Sequence, residues 1–177
     1  MSQTINNFKD NFNGGTRTNR FRIRGSFSSG GAWNDFHVIA ADMPQVNLIP
    51  QAFDYRGRKL ILPGDRIYGQ QPGGTNWTVT VLDDTGDNQY WIALQTWSNS
   101  INQHEENIGT QDDPSSYKES GWVVEQLDLN CANVLKRATL YGCWPSMVGP
   151  IELNMSKVDE YVMFQTTFVF DFATFDN

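Results

Sequence analysis

Alternating apolar and polar residues run through much of the chain, and this pattern predicts a protein built mainly from β-strands. At 20–27, phenylalanine and isoleucine alternate with arginine and serine, as expected for a half-buried strand. A Ser/Gly-rich turn follows, and we expect the segment 35–41 to return as the partner strand of a hairpin. A second hairpin is predicted at 46–62, because Arg56-Gly57-Arg58 supplies a turn, and a further strand at 76–83.

The second half of the chain contains the one segment with a clear helical period. Tyr90, Leu94, Trp97 and Ile101 recur at helical spacing and predict an amphipathic helix over 87–101. After this helix the alternating pattern returns. It predicts a hairpin of 122–129 with 134–144, a short strand at 151–154 and a long strand at 160–172.

The long strand predicted at 160–172 divides its residues between two faces. Its apolar face carries Val162, Phe164, Phe168, Phe170 and Phe172, which we expect to be buried. The opposite face includes Gln165, Thr167 and Asp171, which are therefore candidates for a polar surface or an interface.

About eight strands and one helix define the expected fold class, which is mainly β. We predict a single-domain β-sandwich or partly open β-barrel with one α-helix packed on it. The polar, Asn/Gly/Thr-rich residues 1–18 are expected to be a flexible N-terminal arm, and 19–177 to form the β domain.

Charge narrows the possible partners of such a domain. The formal net charge is -7 and the sequence pI is about 4.7. Binding to nucleic acid phosphate is normally driven by lysine and arginine, so sequence-specific nucleic acid binding is not expected. The acidic charge would suit a conduit through which DNA slides, and it would equally suit an ordinary soluble protein; composition leaves both interpretations open.

The two cysteines and the hydropathy of the chain indicate its environment. Cys131 is expected at a turn and Cys143 about ten residues up the return strand, which is too far for a disulfide, so both are predicted to be free thiols. No apolar run approaches about 20 residues, and the first residues lack the basic-then-apolar pattern of a signal peptide. No membrane insertion by this chain is expected.

No group of residues matches a catalytic, cofactor-binding or metal-binding motif. His37 stands alone in a strand, and His104-Glu105-Glu106 lacks the second histidine that a zinc motif requires. The acidic run at 83–87 opens like a calcium loop but lacks the downstream glutamate, and helix capping explains it better. We therefore predict that the protein is not an enzyme and carries no cofactor.

The hairpin predicted at 46–62 concentrates charge near its turn, where Arg56, Arg58 and Lys59 lie close together and Asp65 and Arg66 follow. Charge at an exposed tip would keep the hairpin soluble. Alternatively, the hairpin edge pairs with another subunit and the charges select the partner.

Four short motifs occur in a specific order. They are Ala-Asp-Met-Pro at 41–44, Gly-Asp-Arg at 64–66, Trp-Thr-Val-Thr-Val at 77–81, and Gly-Cys-Trp-Pro-Ser-Met-Val-Gly at 142–149. Together they resemble the tail tube protein of contractile-tailed (T4-like) bacteriophages, over nearly all of 19–83 and 117–172. The resemblance identifies 19–177 as a tail-tube β-barrel domain.

The resemblance implies a structural virion protein whose hexameric rings stack into the hollow inner tube of a contractile tail. Implied partners are the contractile sheath protein, the baseplate hub, the tail terminator, the tape measure protein and, transiently, double-stranded DNA in the lumen. The protein would be assembled in the host bacterial cytoplasm and located in the virion. Candidate subunit contacts are Asp54, Arg56, Arg58, Lys59, Asp65 and Arg66; Gln165, Thr167 and Asp171 are lumen-or-interface candidates. Two other interpretations remain open: the tube subunit of a type VI secretion or related contractile injection system, and a carbohydrate-binding β-sandwich.

Overall fold

The computed structural model describes residues 5, 15–27, 37–68, 76–83, 89–103, 105, 108–109, 113–158 and 160–176, with the side chains of 65–68, 108 and 114 excepted. The described part is mainly β, with one α-helix and a 3-10 turn at Pro114–Ser116. Its elements in chain order are β1 Phe21–Arg24, β2 Val38–Ala41, β3 Val46–Tyr55, β4 Arg58–Tyr68, β5 Asn76–Leu82, α1 Tyr90–Ile101, β6 Asn102–Gln103, β7 Ile108–Gly109, β8 Trp122–Leu127, β9 Val134–Tyr141, β10 Trp144–Val148, β11 Met163–Val169 and β12 Phe172–Asp176.

Two four-stranded antiparallel sheets form the body of the fold. The first sheet has the strand order β1-β8-β9-β12, and the second has β10-β11-β5-β2. Each sheet turns one face toward the other, because alternate residues along the strands are apolar. In β5, for example, Trp77, Val79 and Val81 are buried, while the residues between them are half-buried.

Aromatic side chains fill the space between the sheets. Trp122 from the first sheet lies 4.8 Å from Phe168 and 5.8 Å from Trp77 of the second, measured between ring centroids. Trp97 from the helix and Phe27 after β1 complete the cluster. All five rings are almost completely buried, so they contribute a large part of the apolar area removed from water on folding.

The helix α1 closes one side of this core. Tyr90, Leu94 and Trp97 form its buried stripe, and the Trp97 Nε1 group donates a hydrogen bond to the Tyr117 carbonyl at 2.9 Å. The helix begins three residues later than predicted. The predicted capping residues Asp84 and Asp87 lie outside the described residues.

The expected fold class is confirmed: a mainly β sandwich with one helix packed on it, and no closed barrel in the described part of the chain. The hairpin predicted at 46–62 is also confirmed as β3 and β4, although β4 continues through Pro63 and Gly64 to Tyr68. The predicted hairpin of 122–129 with 134–144 is present as β8 and β9, but Trp144 already belongs to β10.

The hairpin predicted between 20–27 and 35–41 is wrong. β1 pairs with β8, and β2 pairs with β5 in the other sheet. Both segments have the alternation of a strand, but alternation does not specify the partner strand.

The long strand predicted at 160–172 is also wrong as one element. It divides into β11 in the second sheet and β12 in the first, with a bend at Phe170 and Asp171. Phe164, Phe168 and Phe170 are buried as expected, whereas Val162 and Phe172 are exposed. The strand predicted at 151–154 is absent, and those residues connect β10 to β11 without regular structure.

Candidate assembly surfaces

The β3–β4 hairpin is a sheet of its own, since its two strands pair with each other and with no other strand of the described residues. Its turn is tight because Arg56 and Gly57 both have positive φ, 48° and 77°. Two successive positive φ values match the twist of the flanking strands, and glycine adopts them without strain.

Both faces of this hairpin expose large apolar side chains. They are Leu48, Ile49, Phe53, Tyr55, Leu60, Ile61 and Leu62, each between 41% and 68% accessible. An isolated two-stranded hairpin is marginally stable in water, and apolar surface of this extent commonly marks an interaction site. The hairpin is therefore suited to pack against another molecule.

The tip of the hairpin is exposed and positively charged. Asp54 faces Lys59 across the strand pair, and the guanidinium of Arg56 lies 5.4 Å from the ring centre of Tyr55. With Arg58, the tip carries three cationic side chains and one carboxylate. The structure thus brings four of the predicted contact residues to one tip. The side chains of Asp65 and Arg66 lie outside the described residues, although their backbones belong to β4.

The outward face of the second sheet is polar. Gln165 faces Thr80 and Thr167 faces Thr78 across the β11–β5 pair, and the hydroxyl oxygens of Thr78 and Thr167 are 3.3 Å apart. A shallow hollow on this face is also lined by Ala40, Ala41, Asp42 and Met147. Of the hollow's lining residues only Asp42 is charged, so the face carries mostly hydroxyl and amide groups.

Asp171 does not share this face with Gln165 and Thr167, contrary to the expectation from the strand pattern. It lies at the bend between β11 and β12, where its carboxylate accepts hydrogen bonds from Lys118 Nζ at 2.8 and 3.0 Å. The alternation ends at Phe170 because the chain changes sheets there.

The same corner explains the Gly-Cys-Trp-Pro motif at 142–145. Gly142 has φ of 68°, and a side-chain carbon there would meet Asp171 Oδ2 at 2.2 Å. This glycine lets the chain leave β9 in the first sheet and enter β10 in the second. β11 and β12 change sheets beside it, and the Asp171 amide donates to the Tyr141 carbonyl at 2.8 Å. The motif is therefore a corner of the sandwich.

Both cysteines are free, with Cys131 exposed in the β8–β9 turn and Cys143 buried at the corner. Burial, followed by the charge of Asp171, raises the pKa of the Cys143 thiol to about 12. The Cys143 side chain thus acts as a small apolar core residue.

A buried ion cluster on the first sheet has no counterpart among the sequence predictions. The Glu125 side chain is 1% accessible; its Oε2 accepts a hydrogen bond from Arg22 Nε at 2.8 Å and its Oε1 accepts one from Arg137 Nε at 2.9 Å. Burial opposes ionisation, but the hydrogen bonds and charges of the two arginines outweigh it, so the pKa of Glu125 is lowered. Alternation in 20–27 predicts Arg22 on the polar face of its strand, but only the pairing of β1 and β9 with β8 brings Arg22 and Arg137 to Glu125.

The described residues contain no cluster of histidine, cysteine or carboxylate side chains that could hold a metal ion. His37 lies just before β2, and its Nδ1 is 3.0 Å from the Tyr90 hydroxyl, a contact with the first residue of α1. His104 lies outside the described residues. Within the described ranges, no helix has the length and apolar character needed to cross a membrane.

Solved structures with this fold define its class. The chain superposes on the anti-feeding prophage tube terminating cap with a TM-score of 0.67 at 17% identity, covering 92% of this chain and 91% of that one. It also superposes on a protein of the PVC sheath-tube complex, an extracellular contractile injection system, with a TM-score of 0.61 at 13% identity and 99% coverage of both chains. At these identities the likeness establishes the fold, which is shared with components of contractile injection systems.

Sequence comparison then points to one kind of protein within that class. The chain is 29% identical over 170 residues to the tail tube protein of Serratia phage KSP90, covering 91% of this chain and 90% of the relative. It is 28% identical over 158 residues to the tail tube protein of Enterobacteria phage T4, with 88% and 89% coverage. No family model matches the chain. The predicted resemblance to tail tube proteins of contractile-tailed phages is confirmed.

Proposed function

We propose that this chain is the tail tube subunit of a contractile-tailed phage, with a structural and not a catalytic role. The similarity to phage tail tube proteins along about 90% of the chain is the observation that carries the proposal. Copies of the chain form hexameric rings that stack into the hollow inner tube, and the genome passes through this tube into the host. Residues 19–177 form the tube domain, while most of the predicted N-terminal arm, 1–18, lies outside the described residues.

The unpaired β3–β4 hairpin supports self-assembly. Its exposed apolar faces and charged tip gain a partner when it lies against another subunit. In the tube, Asp54, Arg56, Arg58 and Lys59 contact a neighbouring subunit. Asp65 and Arg66 stay predicted contact residues, and their backbones lie toward the base of the hairpin, where Arg66 pairs with Leu48.

The polar face of the second sheet is suited to line the lumen. Gln165 and Thr167 present amide and hydroxyl groups, and the chain as a whole is acidic. Cations would bind phosphate through counterion release, so a surface with few cations lets DNA slide. Asp171 stays an interface candidate and not a lumenal one, because its half-exposed carboxylate lies at the corner of the sandwich and not on this face.

The partners in this role are the contractile sheath around the tube, the baseplate hub and tail terminator at its ends, and the tape measure protein within it. Subunits are assembled in the host bacterial cytoplasm and end in the virion. The type VI alternative is not favoured, since the sequence relatives are phage tail tube proteins. A sugar-binding sandwich would expose a row of tryptophans, whereas every described tryptophan is buried or half-buried.

Negative-stain electron microscopy of the concentrated protein, with and without phage baseplates, tests the proposal. We expect six-fold rings or hollow tubes, and Arg56→Glu combined with Lys59→Glu should prevent ring stacking while leaving the melting temperature unchanged. The matched control is Lys136→Glu, an exposed cation on β9. A protein that stays monomeric even with baseplates would contradict the proposed function, and normal tubes from the double variant would contradict the role of the hairpin tip.

A further inference from the structure

Among the described residues outside the hairpin, the connection between β10 and β11, residues 149–162, exposes the most apolar surface. Leu153, Met155, Val158 and Tyr161 are 84%, 104%, 78% and 80% accessible. Leu153, Met155 and Tyr161 border a shallow hollow of about 420 Å³ that is also lined by Glu152 and other residues of the connection. Four large apolar side chains exposed within ten residues indicate a surface that is covered in an assembly.

The connection is also acidic. Lys157 Nζ lies 3.0 Å from Glu152 Oε2 and 3.2 Å from Glu160 Oε2, so one lysine holds two carboxylates on the rim of the hollow. The hydrogen bonds that Lys157 donates to Glu152 and then to Glu160 raise the pKa of its ammonium group. By sequence the connection contains three acids and one base, since Asp159 lies between Val158 and Glu160. Lys157 therefore balances one of the three negative charges of the connection, and the connection keeps a net charge of about -2.

The hairpin tip has the opposite charge and matching apolar side chains. It carries Arg56, Arg58 and Lys59 against Asp54, beside the exposed Tyr55 and Leu60. At about 3.3 Å per residue the ten residues of β3 extend roughly 33 Å, which is enough for the tip to reach a second molecule.

We propose that the hairpin tip of one subunit docks on the β10–β11 connection of a neighbouring copy, with Arg58 and Lys59 facing the carboxylates of Glu152 and Glu160. This proposal rests on the proposed function. The two surfaces differ from each other, so the contact is head-to-tail. Each subunit binds one neighbour through its hairpin tip and another through its β10–β11 connection. Such contacts produce closed rings or open stacks, which are the two elements of a tube.

Charge reversal with rescue tests the docking. The unmodified protein is expected to form tubes that sediment. Arg58→Glu with Lys59→Glu should abolish these tubes, because like charges then meet at the β10–β11 connection. Adding Glu152→Lys with Glu160→Lys should restore them. The matched control adds Glu105→Lys with Asp113→Lys, two exposed acids outside the connection, and should not restore them. Melting temperatures identify variants that fail to fold.

Disulfide trapping gives a second readout that does not depend on charge. In a Cys131→Ser background, Leu60→Cys with Met155→Cys should form linked multimers when assembled tubes are oxidised. The same Leu60→Cys with Leu129→Cys, exposed in the β8–β9 turn, should not. A ladder ending at the ring size supports docking within a ring, and a longer ladder supports docking between rings.

The outcomes separate the two proposals. If the unmodified protein forms no ring or tube even with baseplates, the proposed function fails and the docking falls with it. If it forms tubes but the acid reversals do not rescue them and no ladder appears, the tube subunit stands and the docking site is overturned.

Discussion

Glu125 shows how one side chain joins three strands at the residue scale. Its carboxylate is the one buried acidic group of the described residues, and it lies between Arg22 of β1 and Arg137 of β9. Burying a carboxylate is costly unless hydrogen bonds and charges replace its water. Because each carboxylate oxygen pairs with a different arginine, the cluster links β1 and β9 to β8, which lies between them in the sheet.

Replacing Glu125 with glutamine should lower the free energy of unfolding at pH 7 by about 1.5–3 kcal/mol, the usual range for hydrogen bonds to charged groups. The cost should stay below that of a fully buried pair, because both arginines reach solvent. Denaturant unfolding measures it. Glu152→Gln, which breaks an exposed ion pair, is the control and should cost less than about 1 kcal/mol.

The same cluster predicts a pH dependence. The folded-state pKa of Glu125 lies below its unfolded value, so its contribution is complete above the ordinary glutamate pKa and is lost as the pH falls through the folded-state pKa. Stability of the unmodified protein should therefore fall more steeply in acid than that of Glu125→Gln. Parallel unfolding curves for the two proteins from neutral to acidic pH would contradict this account.

Trp122 and Trp144 differ in how deeply they are buried in the core. Trp122 is completely buried and contacts three other aromatic rings, whereas Trp144 is half-buried at the edge of the core. The apolar face on which the strand pattern places Trp144 predicts a core position, whereas the structure leaves its ring half-buried at the edge of the core. The strand pattern alone does not measure burial.

Trp122→Ala should lower the free energy of unfolding by about 3–5 kcal/mol, because it leaves a cavity between the sheets. Trp144→Ala should cost clearly less, since part of its ring already faces solvent. Thermal or denaturant unfolding of both variants provides the comparison. An equal loss for the two would show that Trp144 is as deeply packed as Trp122.

The β3–β4 hairpin is the element whose apolar side chains are least suited to exposure to water. Its strands alternate poorly, and apolar residues occur on both faces. A hairpin that packed only on its own domain would need one apolar face, so the second face is available for other subunits.

Leu60→Thr combined with Ile61→Thr should weaken tube assembly without changing the melting temperature of the isolated chain. Threonine keeps a high strand propensity, and both side chains are more than half exposed, so the fold loses little. Sedimentation of tubes and thermal unfolding give the two readouts. Threonine at Leu129, equally exposed but distant in the β8–β9 turn, should affect neither. A lowered melting temperature would show that the hairpin packs on its own domain.

At the scale of the whole molecule, the outward faces of the two sheets carry different kinds of side chains. The outward face of the first sheet carries the Glu125 cluster, and that of the second carries the threonine and glutamine side chains around Gln165 and Thr167. If the second face lines the tube, its lack of cations affects how DNA passes.

Introducing Thr80→Lys together with Gln165→Lys should leave tube assembly intact and slow DNA release from particles, because each subunit then offers two cations to passing phosphates. Higher salt should reduce the effect. DNA release from particles carrying the variant is the measurement, with Thr174→Lys on β12 of the first sheet as control. Unchanged release at low salt would contradict a lumenal position for this face.

The sequence by itself determined most of the strands and the helix, because alternation and helical period are local properties of the chain. β5, the β3–β4 hairpin and the buried stripe of α1 follow directly from such patterns, and so does the resemblance to tail tube proteins from motifs in order. Only the tertiary structure decided that β1 pairs with β8, about a hundred residues away, and that the run ending at Phe172 bends at Asp171 into a second sheet. Partner choice depends on contacts between distant segments, which no local pattern records. The Glu125 cluster and the separation of Asp171 from Gln165 and Thr167 were decided in the same way, because both arise from strands brought together by folding.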